Sequence, residues 1–442
     1  MISTKHGSGA RRVSRPVPLV LLAAATLAAA AACSSSGSGT TSSSGTPAAS
    51  SAAASSGAGG SASAAATTGA SAAGLTKYLP GKKATGTPVK IGLINNEGSS
   101  PVAEPSTGDA AVAAADYANA ELGGIGGHPI QVIRCSENED TASATACANE
   151  MVQDNVAAVD IGTTGLGDTM VPIIVKAGIP YVSATGASPA ELTTKGAFMW
   201  TGGFAADLDG MAKYAQEHHY TKVTAFVIDT PGALAGAQQI GTPAFKAAGV
   251  ALSIESVPEA VADATSQVTA GLSGSPGAAA IVADASTCTS ILQALSTVNP
   301  TLPVYTNTSC LNTSTLTALG SAMNGVKVFG RSDTESSDQE AALYRYVMAK
   351  YYPSANASGD TVTGYQGMLG LVRATAGLTG TPTPASITAA IEAAKNVPLP
   401  AGAGLAFTCD GKAMAGLVSN CSAGDVVLTI ENGKAVDPQV IG

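Results

Sequence analysis

Val89-Lys90-Ile91-Gly92-Leu93-Ile94 decides the fold. It is a short, almost unbroken apolar run rich in β-branched residues, which reads as a strand covered on both faces. Working outward, Thr107 to Leu122 reads as a helix that Gly123-Gly124 closes, and Ile130 to Ile133 as a second strand. The alternation continues: Thr141–Asp154 helical, Val156–Ile161 extended, Thr169–Ala177 helical, Ile179–Ser183 extended. Repeated β-α-β units require a mainly parallel sheet.

The series then starts again. Val223–Ile228, Val250–Ser256, Ala278–Ala283 and Pro303–Tyr305 read as strands, with helices at Ala235–Ala248, near Ala264–Leu272 and near Thr289–Thr297. Val326–Phe329 is a further strand. Three helical segments follow, near Gln339–Tyr351, Thr363–Leu378 and Pro384–Ala394. From Leu405 onward the chain reads as β-hairpins, with turns at Cys409-Asp410-Gly411-Lys412 and Glu431-Asn432-Gly433-Lys434. The expected fold class is therefore α/β, with two doubly wound lobes. At 442 residues the chain is long enough for both.

Composition excludes some functions. Charged residues make up only 12%, aromatics 4%, and the net charge is −9. With no basic run beyond residue 15, nucleic acid is not an expected partner. The amino terminus carries Lys5, Arg11, Arg12 and Arg15, then an apolar body from Val17 to Ala32, ending Ala30-Ala31-Ala32-Cys33. A basic head, a short apolar stretch and small residues describe an export signal, residues 1–32, and not a membrane span. Cys33 would become the lipidated amino terminus, although Ala30 stands where such signals usually carry Leu. Acyl chains at Cys33 would hold the protein on the outer face of the cell membrane. Residues 33–87 are expected to form a spacer. Its Ser/Ala/Gly/Thr-rich stretch, about forty residues, spans roughly 30–40 Å as a flexible coil.

Setting Cys33 aside leaves six of the seven cysteines. An even number suits an oxidising compartment, and no C-x-x-C pair suggests zinc. Of the 15 possible pairings, the local set is expected: Cys135–Cys147, Cys288–Cys310 and Cys409–Cys421.

Several segments carry a family resemblance. Ala120-Glu121-Leu122-Gly123-Gly124-Ile125-Gly126-Gly127-His128-Pro129-Ile130 resembles the N-A-x-G-G-I-x-G-x-x-I segment of branched-chain amino-acid-binding proteins of ABC transporters. Ala177-Gly178-Ile179-Pro180-Tyr181-Val182-Ser183, with Pro189-Ala190-Glu191-Leu192-Thr193, is similar to their A-G-V-P-x-I-S…P-x-L-T. Gly364-Tyr365-Gln366-Gly367 and Ala374-Thr375-Ala376-Gly377 resemble the Y-D-A…A-x-x-x-A-G helix. The ordered set spans Pro88 to Gly442, and Thr408-Cys409-Asp410-Gly411 resembles actinobacterial members.

The resemblance implies a type I periplasmic-binding fold, with two lobes joined by three crossing strands. Lobe one would be 88–203 plus 330–402, and lobe two 204–327 plus 405–442. It also implies a monomer that binds a small polar solute, an amino acid or related compound, and serves ABC permease subunits. No enzymatic activity, cofactor or metal is expected. The alternative of the same class is a sensor that signals to a membrane partner, which a membrane-spanning segment after the body would favour.

Ligands of open α/β sheets lie beyond the carboxyl ends of the strands. The residues nominated there are Asn96, Glu97, Thr163, Thr164, Gly165, Gly186 and Ser188 in lobe one, and Asp229, Asp284 and Thr308 in lobe two. The family holds an α-carboxylate with hydroxyls after the third and fourth strands. Thr163 and Thr164 fit the first place. At the second, Ala187 replaces the family's Thr and Ser188 would substitute. The family's acid for the ammonium falls at Asn307-Thr308 here, so Asp229, Asp284 or Glu97 would have to take over. Pro231 stands where the family has an aromatic residue. Enzyme readings find no support. His218 and His219 are adjacent and cannot face one metal from a helix, and no G-x-S-x-G, H-E-x-x-H or Walker A motif occurs. The glycines of 123–127 follow a helix and precede a strand, the reverse of a dinucleotide loop.

Overall fold

The computed structural model describes residues 74–98, 103–311, 313–354 and 359–442. The export signal, Cys33 and most of the spacer lie outside these residues.

The first sheet is wholly parallel. Its strands are β1 (Val89–Asn96), β2 (Ile130–Glu137), β3 (Val159–Ile161), β4 (Tyr181–Ser183) and β5 (Ala197–Met199), in the order β2-β1-β3-β4-β5. Between them run helices α1 (Pro105–Glu121), α2 (Thr141–Gln153), α3 (Gly167–Lys176) and α4 (Pro189–Thr193). β1 is buried at seven of its eight positions, which is why it reads as a continuous apolar run.

The second sheet is mixed, in the order β14-β13-β10-β9-β8-β6-β7. After α5 (Gly203–Glu217) come β6 (Lys222–Ile228), α6 (Pro231–Gly236), α7 (Thr242–Ala247), β7 (Ala251–Val257), α8 (Thr265–Leu272), β8 (Ala278–Val282), α9 (Ala285–Val298), β9 (Val304–Asn307), α10 (Thr313–Leu319) and β10 (Lys327–Gly330). These strands pair in parallel. β13 (Asp425–Glu431) and β14 (Lys434–Ile441) then add antiparallel at one edge. Helices α11 (Gln339–Tyr351), α12 (Thr361–Ala374) and α13 (Pro384–Ala393) return to the first sheet, followed by the small ribbon β11 (Val397–Pro398) and β12 (Ala406–Phe407).

Two local expectations need correction. The helix expected at Ala235–Ala248 begins at Pro231 and passes through a π-helical turn at Ala237–Gly241. Pro243 cannot donate a backbone bond, and the wider register just before it absorbs that loss. The turn at Cys409–Lys412 heads no hairpin. Its loop is closed by Cys409–Cys421, and Asn420 pairs with Met199 at the free edge of the first sheet. Only the turn at Glu431–Lys434 joins paired strands, β13 and β14. The other two disulfides are Cys135–Cys147 and Cys288–Cys310.

The chain passes between the sheets three times: after β5, after β10 and after β12. α12 holds the passages after β5 and after β10, and also the loop that leads into β12. Gly364, Gly367 and Gly370 fall on one face of that helix. A Cβ there would lie 1.9 Å from the Thr107 carbonyl oxygen, 2.4 Å from Asp160 Oδ1 and 2.6 Å from Trp200 Nε1. Their absence lets α12 seat against α1, β3 and Trp200. The Trp200 indole, fully buried, donates to the Gly367 carbonyl at 3.0 Å and stacks on Phe407 with ring centroids 4.8 Å apart. Gln366 Nε2 donates to the carbonyls of Arg331 and Pro400, both at 2.9 Å. Arg331 in turn clamps Asp207 of α5 through both carboxylate oxygens, at 2.9 and 3.0 Å. Breaking such a buried pair by removing one partner costs about 3–5 kcal/mol.

One acid under α12 is unlike the others. Asp160 is fully buried at the centre of β3, and neither side-chain oxygen reaches a hydrogen-bond partner. Burial pushes its carboxyl well above the usual carboxylate range, and the Ile161 N–H offsets this only in part. The folded state therefore binds a proton that the unfolded state has released. That contribution to stability is complete below the unfolded value near 3.8 and is lost as pH rises through the raised folded one. We predict that stability from urea titrations declines from pH 4 toward pH 8, and that Asp160→Asn flattens the decline. An unchanged slope in the variant would remove Asp160 as its source.

Candidate functional site

The carboxyl end of the first sheet is built around Asn95. Fully buried, it donates to Glu97 Oε1 and to the Glu104 carbonyl, both at 2.9 Å, and accepts from the Thr163 N–H at 2.9 Å. This joins the loop after β1 to the loop after β3, and the Asn96 N–H donates to the Thr163 carbonyl as well. Asn96, Glu97, Thr163, Thr164 and Gly165 are thereby brought together.

Much of their chemistry is already engaged. Arg134 forms an ion pair with Glu97 at 2.6 Å and with Asp109 at 2.8 Å. Glu97 is thus neutralised by its own lobe. The Thr164 hydroxyl donates to Glu137 at 2.9 Å, and the Gly165 N–H to Glu139 at 2.7 Å. Ser188 caps α4 and forms a reciprocal capping box with Glu191. Glu191 also receives the Tyr181 hydroxyl at 2.6 Å. Ser188 neighbours the first group across Gly167, where a Cβ would fall 2.4 Å from Ser188 Oγ. At Gly186 a Cβ would press on Met199 Sδ at 2.8 Å, so its small size serves packing.

In the second sheet, β6 is paired with β8 and β8 with β9. That register puts Asp229, Asp284 and Thr308 side by side at the strand ends. Asp229 is exposed. Asp284 caps α9, accepting from the Thr287 N–H at 2.8 Å and the Ser286 hydroxyl at 2.9 Å. Partial burial opposes its charge, but these bonds prevail and hold the carboxyl below its usual value. It therefore stays ionised. Thr308 is partly exposed and abuts Gly330, where a Cβ would meet its methyl at 2.4 Å.

Sequence reading passed over Glu104. α1 begins at Pro105, two residues earlier than its pattern indicates, and this places Glu104 at the helix start. Its Oε2 accepts from the Thr163 hydroxyl at 3.3 Å and the Thr107 hydroxyl at 3.4 Å. Burial raises this carboxyl, Asp360 raises it further, and the two hydroxyls act in the opposite direction. The hydroxyl matched to the family's carboxylate anchor thus faces an acid. Pro105, well suited to a first helical position, was the available signal. Arg134 was also passed over, since a lone Arg within a strand has no motif.

The arrangement can hold a polar molecule through hydroxyls and backbone groups, with acidic side chains for an amine. Comparison with known proteins bears on the fold. Residues 88–418 match the family model described as periplasmic binding protein. No curated protein matches the chain in sequence. Among solved structures, the ABC transporter substrate-binding protein of Sphaerobacter thermophilus is 15% identical, with a TM-score of 0.65, covering 80% of this chain and 97% of that one. The branched-chain amino acid transporter substrate binding protein LivJ of Streptococcus pneumoniae, in complex with isoleucine, is 20% identical with a TM-score of 0.60, covering 80% and 99%. The leucine binding protein LivK of Thermotoga maritima is 17% identical with a TM-score of 0.60, covering 80% and 98%. Two α/β sheets joined by three passages, matched by that model over most of the chain, place this protein in the periplasmic binding protein family, with the two-lobed type I fold.

Proposed function

We propose that this chain is an extracytoplasmic solute-binding protein. It captures a small polar ligand, an amino acid or related compound, between its two lobes and delivers it to the permease of an ABC importer. The observation that carries the reading is the placement of Asp229, Asp284 and Thr308 along one edge of parallel strand ends. These would meet the ligand's amine, opposite the hydroxyl and amide loops of lobe one. Asp229 and Asp284 take the part that Glu97, paired with Arg134, has lost. Burying an ammonium without such a partner is costly. On this reading the protein is a monomer tethered through Cys33, and its lobes are 88–203 plus 330–402 and 204–327 plus 405–442.

Three measurements test this. In a thermal-shift screen of amino acids, amides and other polar solutes, an amino acid or amide is expected to give the largest shift. A ligand at 100 Kd adds about 2.7 kcal/mol, and Asp229→Ala with Asp284→Ala should abolish that gain. A shift from leucine, isoleucine or valine that survives both substitutions would show the pocket reading to be mistaken. Hinge closure predicts a smaller radius of gyration by small-angle X-ray scattering when that ligand saturates; an identical profile counts against it. Growth with a radiolabelled fatty acid should label the wild type and not Cys33→Ser. An unlabelled wild type refutes the lipid anchor.

A further inference from the structure

Away from the strand ends, a groove of about 1180 Å³ opens on lobe one, between the carboxyl-terminal ends of α1 and α12 and the β11–β12 ribbon. It is at the upper end of small-molecule sites, which are typically ~300–1,000 Å³. One wall is the segment Gly123-Gly124-Ile125-Gly126-Gly127. Its four glycines line the groove at positive φ, from 61° to 88°, so that wall is bare backbone. This is the motif that neither a nucleotide nor the solute cleft accounts for.

The charge on the groove is opposite to that of the protein. The whole chain has 22 basic residues against 31 acidic. The groove is lined by Lys77, Lys82, Lys395 and Arg373 against only Asp338 and Glu340. Arg373 and Glu340 neutralise one another in the floor, 2.9 Å apart, with Arg373 also donating to the Pro398 carbonyl at 3.1 Å. The three lysines remain at the exposed rim. Lys77 Nζ lies 4.6 Å from the centre of the Tyr78 ring, and Lys395 is 3.8 Å from Asp410. Below them the walls are apolar, with Val372, Leu399 and Leu405 nearly fully buried and Tyr78 and Tyr117 beside them.

A cationic rim over an apolar trough is complementary to one class of molecule. We propose that this groove is a second binding site, for an amphipathic organic anion: an apolar body of about ten carbons along the trough and a carboxylate or sulfonate at the lysines. Opposite charge at the rim selects the anion, and removal of the apolar body from water supplies most of the affinity.

The probe is 1-anilinonaphthalene-8-sulfonate, followed by its fluorescence on the full mature chain, with decanoate as competitor. Decanoate is expected to displace the dye, and decyltrimethylammonium at the same concentration is not. Lys77→Glu with Lys395→Glu, both exposed, should weaken decanoate at least tenfold. Ala376→Trp, which fills the groove from an exposed position, should abolish binding. Asp229→Ala and Asp284→Ala should leave it unchanged, which separates this site from the solute cleft. Equal competition by the cation, or undiminished decanoate binding in the lysine variant, overturns the proposal. So does displacement by phosphatidylglycerol vesicles but not by decanoate, which would assign the groove to a membrane surface. Unfolding profiles identify any variant that fails to fold. The rim substitutions touch no core contact and carry the test if Ala376→Trp does not fold.

Discussion

Two of the passages that join the two lobes meet at one turn of α12. Gln366 is only 2% exposed, yet its single amide nitrogen serves two carbonyls, Arg331 on the passage after β10 and Pro400 in the loop between β11 and β12. The next residue, Gly367, offers its carbonyl to Trp200 on the passage after β5. A buried amide group must be satisfied or its desolvation is lost outright. Here satisfaction requires the passages after β5 and after β10 and the loop before β12 to be in place at once. The glycines at 364, 367 and 370 are the steric condition for this, because a methyl at any of them would push α12 away from its partners.

The same junction carries charge. Arg331 directly follows β10, and its guanidinium reaches across to Asp207 on α5, with Asp425 at the start of β13 close enough to matter. Burial and the neighbouring Asp207 raise the Asp425 carboxyl well above its usual range, while Arg331 acts the other way. Its Oδ2 is buried without a hydrogen bond. A hinge made this way has a definite geometry, not a loose one.

Acid placement distinguishes the solute cleft from the rest of the surface. In lobe one, acids are paired with Arg134 or tied to backbone and hydroxyl donors, so they shape loops. In lobe two, Asp229 and Asp284 stand at adjacent strand ends, with Asp284 kept ionised by its capping bonds. A ligand amine meeting lobe two would find charge, and one meeting lobe one would find mainly hydroxyls and amides. The groove near Lys77 is lined instead by more basic than acidic side chains.

The chain's own sequence determined the alternation of strands and helices, hence two parallel α/β layers, because burial on both faces forces apolar runs such as Val89–Ile94 and burial on one face forces helical spacing. It also determined local closures: three cysteine pairs near in sequence, and a turn at Glu431–Lys434. Short elements such as β5 and α4 carry too few residues to establish a period, and the Cys409–Lys412 turn has the composition of a hairpin without its partner strand. What only the tertiary structure decided was which polar side chains remain available. Glu97 and Asp229 look alike in sequence, both acids just beyond a strand. One is neutralised by Arg134, thirty-seven positions further on, and the other is exposed. Residues close in space and distant in the chain set a carboxylate's charge and reach, because electrostatic energy depends on separation in space and on local burial.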